Sequence, residues 1–274
     1  MMLEKLSGYL IFNYNKIFEH PFKQRILSGL IKLHTKYRKK TLTIPYQNKT
    51  WIEVDLNDYV DRTIFQKGGY ENEIFENLSP FINNNEILWD IGAHIGSFTL
   101  KALHDKNVKQ IHCFEPSPAN FKRLESNKTI NRNPQKMVLH PVGLGNDKGE
   151  LWFYQSENNN SGGSRFVNID QYKNAVKRPV DSVDNLIFDL NVPAPTLLKI
   201  DVEGFEAQVL DGAKKLFETH PPKALIFETL AVNNTILSEQ IVEFLKKFNY
   251  TPKHITVKDE EDSELQNFLA IRNI

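Results

Sequence analysis

From residue 86 onward, short apolar runs of strand length alternate with segments in which apolar residues recur at helical spacing. Residues 86–90, 109–115, 136–142, 196–201 and 224–228 read as buried strands. Residues 97–103, 119–131, 205–217 and 236–248 read as helices between them, the second opened by Pro116 and Pro118. The run LWFY after a turn at 145–149 predicts a further strand, and 254–257 with 268–271 predict two closing strands around an acidic turn. Upstream, TLTIPY and WIEVDL predict a hairpin turning at Asn48 and Lys49. A helical stretch at 59–65, a break at Gly68 and Gly69, and a helix begun within YENEIF follow it. Strands alternating with helices in this way imply an α/β chain: a mostly parallel sheet with helices on both faces. No internal repeat is present. The polar loop at 158–164 falls where the mouth of a site would be.

The first 40 residues follow a different pattern. Leu6, Leu10, Phe12, Ile17, Phe22, Ile26, Leu27, Leu30, Ile31 and Leu33 recur at helical spacing. Among them, and on to residue 50, lie Lys5, Lys16, Lys23, Arg25, Lys32, Lys36, Arg38, Lys39, Lys40 and Lys49, against only Glu4 and Glu19. Such a segment can cap the rest of the chain with its apolar face, or lay a basic amphipathic surface on an anionic membrane or a partner. The cap is the simpler reading. The expected organisation is a basic helical extension, 1–40, followed by one catalytic unit, 41–274. Overall charge is balanced, 34 basic against 34 acidic residues, which argues against nucleic acid as an obligatory partner. The single cysteine, Cys113, lies in an apolar run and fits a reducing, cytoplasmic setting. No apolar run approaches the roughly 18 residues of a transmembrane helix.

The densest chemistry lies in LWDIGAHIGSFTL, residues 88–100. A strand ends at Asp90, two glycines follow, and a helix opens at once. In an open α/β sheet this is where a nucleotide-like ligand sits. A dinucleotide site requires G-x-G-x-x-G, whereas this turn reads D-x-G-x-x-x-G with His94 inside it. A carboxylate at the turn repels a pyrophosphate and suits a cationic amino group, which favours S-adenosyl-L-methionine. Glu115, Asp201 and Glu228 end further strands, so parallel pairing would bring four acids to one edge.

DIGAHIGSFTL, FEPSPANFKRLESN, LLKIDVEGFEAQVLDGA and PPKALIFE, with IFQKGGYENEIFENL and PVDSVDNL, resemble the FkbM-type family of S-adenosylmethionine-dependent methyltransferases over roughly residues 50–230. The resemblance implies a class I methyltransferase (Rossmann-like) fold with a seven-stranded sheet, one strand antiparallel. It also implies O-methylation of a sugar, glycan or other small-molecule acceptor. By position it assigns Asp90, Gly92, Ala93 and Gly96 to the methionine end of the cofactor. Glu115 with Pro116 goes to the ribose, Val142 and Gly143 to the adenine edge, and Glu71 to the cofactor's amino group. His94 departs from the family, where Asn is usual, and is open to either a ligand contact or a tolerated swap.

KIDVEG offers a second cluster. Asp201 and Glu203 are two apart and share a face on extended backbone with Lys199. Neighbouring carboxylates raise one another's pKa, which suits a general base. Asp201, Glu203 and Glu228 are the candidate catalytic acids, with Asp201 a candidate cofactor contact as well. A helix cap by Glu203 ranks next. A divalent cation on these acids is possible but not favoured. The sequence lacks the N/D-P-P-Y/F motif of base N-methylation at this strand end, which disfavours a nucleic-acid acceptor. A protein acceptor and an inactive methyltransferase-like scaffold are the alternatives to the small-molecule enzyme.

Overall fold

In a computed structural model, which describes residues 2–18, 21–37, 41–156, 160–230, 239–257 and 265–273, the chain opens with a helical hairpin. Helices α1 (Met2–Ile17) and α2 (Lys23–Tyr37) bury Ile11 and Leu27 against β1 (Leu42–Pro45) and β2 (Trp51–Val54). These strands pair antiparallel, Leu42 opposite Val54 and Ile44 opposite Ile52, and turn through Asn48 and Lys49, both at positive φ. Helix α3 (Tyr59–Lys67) is capped by Asp58, which accepts from the N–H groups of Val60 and Asp61, and stops at Gly68 with φ 81°. Helix α4 (Asn72–Leu78) starts after Glu71, itself left-handed at φ 54°.

Next come β3 (Glu86–Ile91), α5 (Ser97–Ala102), β4 (Val108–Phe114), α6 (Pro118–Thr129) and β5 (Met137–His140). Ser117 caps α6, with Pro118 inside its first turn. The third core strand is shorter than the sequence predicts, because Pro141 has no N–H to donate to a ladder. An excursion follows: β6 (Gly143–Gly145), β7 (Gly149–Tyr154), β8 (Arg165–Phe166) and β9 (Val176–Ser182) form a four-stranded sheet in the order β6-β9-β7-β8. Only β7 was predictable. The polar half of β9, Lys177 to Pro179, interrupts its apolar pattern.

Helix α7 (Val183–Phe188) returns the chain to β10 (Leu197–Ile200). The predicted helix at 205–217 is two, α8 (Glu206–Asp211) and α9 (Lys214–Thr219), broken at Gly212, where a Cβ would lie 2.0 Å from the carbonyl oxygen of Gly145. Strand β11 (Ala224–Leu230), helix α10 (Glu239–Lys247), β12 (Tyr250–Ile255) and β13 (Leu265–Arg272) complete the chain. The predicted acidic turn, and residues 38–40, 158–159 and 236–238 of other predicted segments, lie outside the described residues.

The large sheet has seven strands in the order β12-β13-β11-β10-β3-β4-β5. Strand β3 pairs parallel with β10 and β4, while β13 runs antiparallel to both its neighbours. This is the class I, Rossmann-like arrangement, with the order switching sides at β3. Alternate residues face opposite layers: Leu88, Leu197 and Ile226 enter one core, Trp89, Leu198 and Leu225 the other. Burial of apolar surface on both faces is worth about 25 cal/mol per Å² and fixes the register. Cys113 is fully buried beside Thr99. Among the described residues no helix is long and apolar enough to cross a membrane.

Candidate active site

The carboxyl ends of β3, β4, β10 and β11 border a concave cleft. It lies at the switch point of the strand order, where an open α/β sheet leaves a crevice. Glu71, Gly92, Ala93, His94, Glu115 and Pro116 line one part of it. Asp201, Glu203, Glu228 and Arg165 line another. Gly143 and Leu144 of β6 and Phe153 and Phe166 of the small sheet close a side.

Three residues assigned to the cofactor do not reach the cleft wall. Asp90 is buried behind it, Gly96 turns the chain into α5 at φ 89°, and Val142 packs on the second core. A Cβ on Gly92 (φ 81°) would lie 1.7 Å from the carbonyl oxygen of Asp201, so this glycine is needed to let two strand ends pass. A Cβ on Gly96 would meet only Leu124 Cδ1, at 2.7 Å.

Glu115 ties the two turns together. Its Oε2 accepts from the His94 N–H at 2.9 Å and its Oε1 from the Ser117 N–H at 2.8 Å. Burial pushes its carboxyl up to about 7 against these stabilising bonds. The Asn120 side chain is a further hydrogen-bonding partner of the same carboxylate. His94 is left-handed at φ 53°, a conformation that Asn, Asp and His adopt more readily than other side chains. Its Nε2 lies 2.6 Å from Ser161 Oγ, and burial pushes its pKa down to about 4, so the ring is neutral near pH 7. A neutral ring committed to Ser161 is not a counter-ion for a carboxylate; it fastens the turn to the 160–164 segment.

Lys199 was visible in the sequence as a neighbour of Asp201, yet it is the centre of the site. Its Nζ is 2.8 Å from Asp201 Oδ2 and 3.8 Å from both Asp90 Oδ1 and Glu71 Oε2. Three carboxyls surround one buried ammonium, and the charge of Lys101 also acts on Glu71. Burial raises Glu71 to about 7, with Lys199 opposing, and raises Asp90. For Asp201 burial is outweighed by Lys199, and its carboxyl is held below the usual range. Asp90 Oδ2 accepts from Thr99 Oγ1 at 2.5 Å, but Asp90 Oδ1 and Glu71 Oε2 are buried without a hydrogen-bond donor. Lys101, also buried, donates to the carbonyls of Tyr70 and Glu71 and so holds the strained turn that aims Glu71. A lysine between Leu198 and Ile200 in an otherwise apolar strand was the available signal for Lys199. Ser161, Arg165, Phe166 and Lys101 carry no comparable signal.

The acids of KIDVEG meet, but not on extended backbone. β10 ends at Ile200, and Glu203 is left-handed at φ 55°. Asp201, Glu203 and Glu228 each bring a carboxylate oxygen within 4.8 Å of the others. Burial, then the charge of Asp201, pushes Glu203 up to about 7. Glu203 does not cap the next helix. α8 has no side-chain cap, and Glu206 Oε1 instead holds the turn before it, accepting from the N–H groups of Val202 and Gly204 at 3.3 and 3.0 Å.

The sequence profile of the methyltransferase FkbM domain matches residues 90–252. Hexuronic acid methyltransferase AglP of Haloferax volcanii is 24% identical over 192 residues, 70% of this chain and 74% of that protein. Methyltransferase 1 of Beauveria bassiana is 27% identical over 173 residues, 57% of this chain and 66% of that one. The crystal structure of methyltransferase FkbM from Methylobacillus flagellatus aligns at a TM-score of 0.48 and 16% identity, over 95% of this chain but only 58% of that longer one.

Proposed function

The chain belongs to the FkbM methyltransferase family, and from that premise we propose that it moves the methyl group of S-adenosylmethionine to a hydroxyl of a sugar or similar small acceptor. The observation that carries this reading is a single cleft lined both by backbone turns with Glu115 and by three adjoining carboxyls, Asp201, Glu203 and Glu228, with Arg165 also on its wall.

The first set of groups fits the methyl donor. Glu71 Oε2 is a buried acceptor without a donor on the cleft wall, and such an oxygen suits an added ammonium. Glu115, a carboxylate on the cleft wall at the end of β4, suits the paired hydroxyls of a ribose. The backbone of Gly143 and Leu144 offers hydrogen-bonding groups to an aromatic base, and a Cβ at Gly143 would strike Phe166 at 2.3 Å. Asp90 acts through Lys199, by holding its charge in place. When bound, S-adenosylmethionine supplies an activated methyl group on a sulfonium.

In the second set, Glu203 is the general base. A group that titrates near 7 accepts a proton at neutral pH without giving up driving force. Glu203 would take the hydroxyl proton as the acceptor oxygen displaces sulfur from the methyl carbon, the methyl–sulfur bond breaking to leave a neutral thioether. Asp201, kept ionised by Lys199, accepts a hydrogen bond from a neighbouring acceptor hydroxyl and orients the ring. The same ammonium 2.8 Å from Asp201 makes the three acids a poor cradle for a divalent cation, since it already neutralises one ligand. Alignment of acceptor oxygen with the methyl group is the main contribution of the cleft walls.

A relative is a hexuronic acid methyltransferase, and such a sugar carries a carboxylate. Arg165 lines the acceptor end and is oriented by Tyr172, to whose hydroxyl it donates at 2.8 Å. A guanidinium there suits an acidic sugar. In calorimetry the wild type is expected to bind S-adenosylmethionine, and Glu203→Gln to bind it equally. Transfer of labelled methyl to uronic acid acceptors by Glu203→Gln is expected to fall at least about 100-fold. Failure of the wild type to bind the donor overturns the reading. Full activity in Glu203→Gln removes Glu203 as the base.

A further inference from the structure

We propose that the α1–α2 hairpin is a docking surface for an anionic lipid bilayer, independent of the reaction in the cleft. The hairpin is fixed to the body by its inner side. Ile11 and Leu27 enter the core, Lys5 Nζ donates to the carbonyl of Ile130 at 2.7 Å, and Lys16 Nζ to that of Gln66 at 2.9 Å. At Gly8 a Cβ would lie 2.0 Å from the carbonyl oxygen of Thr43, so α1 lies directly on β1. The outward orientation of the opposite faces is therefore set.

Those faces are apolar. Of the thirteen large hydrophobic residues exposed among the described residues, eight lie between Leu6 and Leu33. Leu6, Leu10 and Ile17 stand at intervals of four and seven, one stripe along α1, and are 52, 58 and 68% exposed. Ile26 and Leu33, seven apart, form the matching stripe on α2, and Phe18 and Phe22 stand exposed where the helices join. Between the helices runs an apolar groove of about 530 Å³, lined by Leu10, Tyr14, Ile17, Leu30 and Leu33. Apolar surface concentrated in this way marks an interaction site.

The charge identifies the occupant. α2 carries Lys23, Arg25 and Lys32 and no acidic residue, in a chain whose total charge is balanced. Arg25 and Lys32 directly precede Ile26 and Leu33 in sequence, so a basic row runs beside the apolar stripe. A bilayer rich in anionic headgroups satisfies both rows together: acyl chains receive the apolar stripe and phosphates meet the basic one. A second copy of the chain would satisfy the first and set basic helix against basic helix. No described helix spans a membrane, so the contact lies in the plane of the interface.

The test is co-sedimentation of the full chain with vesicles of phosphatidylcholine alone or with about 30% phosphatidylglycerol, at low and high salt. The expected result is binding to the anionic vesicles at least about tenfold stronger than to the neutral ones, reduced by salt. Leu10→Ser/Ile17→Ser/Phe22→Ser and, separately, Arg25→Glu/Lys32→Glu each lower it about tenfold or more while the unfolding midpoint is unchanged. Absence of binding to anionic vesicles, or equal binding to both kinds, overturns the proposal. So does a dimer in sedimentation velocity that the first set of substitutions dissociates, which would make this face a contact between copies.

Discussion

Single residues in the donor turn divide into those that fit a ligand and those that fit the chain. Gly92 was legible as a necessary glycine, but the sequence could not show why. The carbonyl of Asp201, more than a hundred positions away, passes where its Cβ would stand. Gly92→Ala is therefore expected to cost at least about 3 kcal/mol in urea unfolding, as backbone must move at a positive φ. Gly96→Ala meets only the end of a leucine and is expected to cost about 1–2 kcal/mol, the price of φ 89° alone. Equal losses would place a ligand-independent clash at both. Glu203 and Asp201 likewise look alike in KIDVEG and differ in the fold, because only Asp201 touches Lys199 at bonding distance. This difference makes the pH profile diagnostic. Glu203 must be ionised to act, and its pKa is raised to about 7, so kcat at saturating donor should rise with pH and level off above about 7. With Asp201 as the base, its lowered pKa would leave kcat flat across the same range. Under the proposed assignment, saturation with donor would engage Glu71 and Glu115, also raised to about 7, so that the rising arm would report the acceptor end.

At the scale of elements, the sequence was most informative where periodicity and end signals agreed. The strands that frame the cleft and the helices α3, α5 and α6 were legible because apolar runs end at Asp, Gly or Ser-Pro. The small sheet was not, since its strands are short, partly exposed and joined by pairings distant in sequence. The break between α8 and α9 was hidden for a related reason: a glycine in a helical pattern is permitted, and only the carbonyl of Gly145 makes it compulsory. Asp58 shows how such elements combine. One oxygen caps α3, and the other accepts from the Ser161 N–H at 2.7 Å, while Ser161 Oγ meets His94. Helix, cleft-side segment and donor turn thus share one carboxylate. Asp58→Ala should lower the thermal midpoint by roughly 2–4 °C, the loss of a cap worth about 1–2 kcal/mol. It should also speed amide exchange across 161–165. An unchanged exchange rate there would show that Asp58 serves α3 alone.

For the whole molecule, the cleft is the meeting place of parts far apart in sequence. Val60 and Glu71 come from the α3–α4 region, His94 and Glu115 from one half of the sheet, Asp201 and Glu228 from the other, and Phe153 and Phe166 from the small sheet. A ligand that touches all of them binds only the folded chain, so its binding energy adds to global stability. At about 100 times its Kd, S-adenosylmethionine should add about 2.7 kcal/mol. For a chain of 274 residues, this raises the thermal midpoint by about 5 °C. The two ends of the cleft then separate by mutation. Glu203→Gln should keep the full shift, because it alters the acceptor end. Glu115→Gln should reduce it: an amide keeps one acceptor oxygen for the backbone donors but replaces the other by NH₂, which cannot accept from a ribose hydroxyl. Loss of the shift in Glu203→Gln with retention in Glu115→Gln would reverse the assignment of donor and acceptor ends. Because the cleft is built over two cores, one on each face of the large sheet, a donor-induced shift that appears as one cooperative transition would further show that the sheet, the small sheet and the α3–α4 region unfold together.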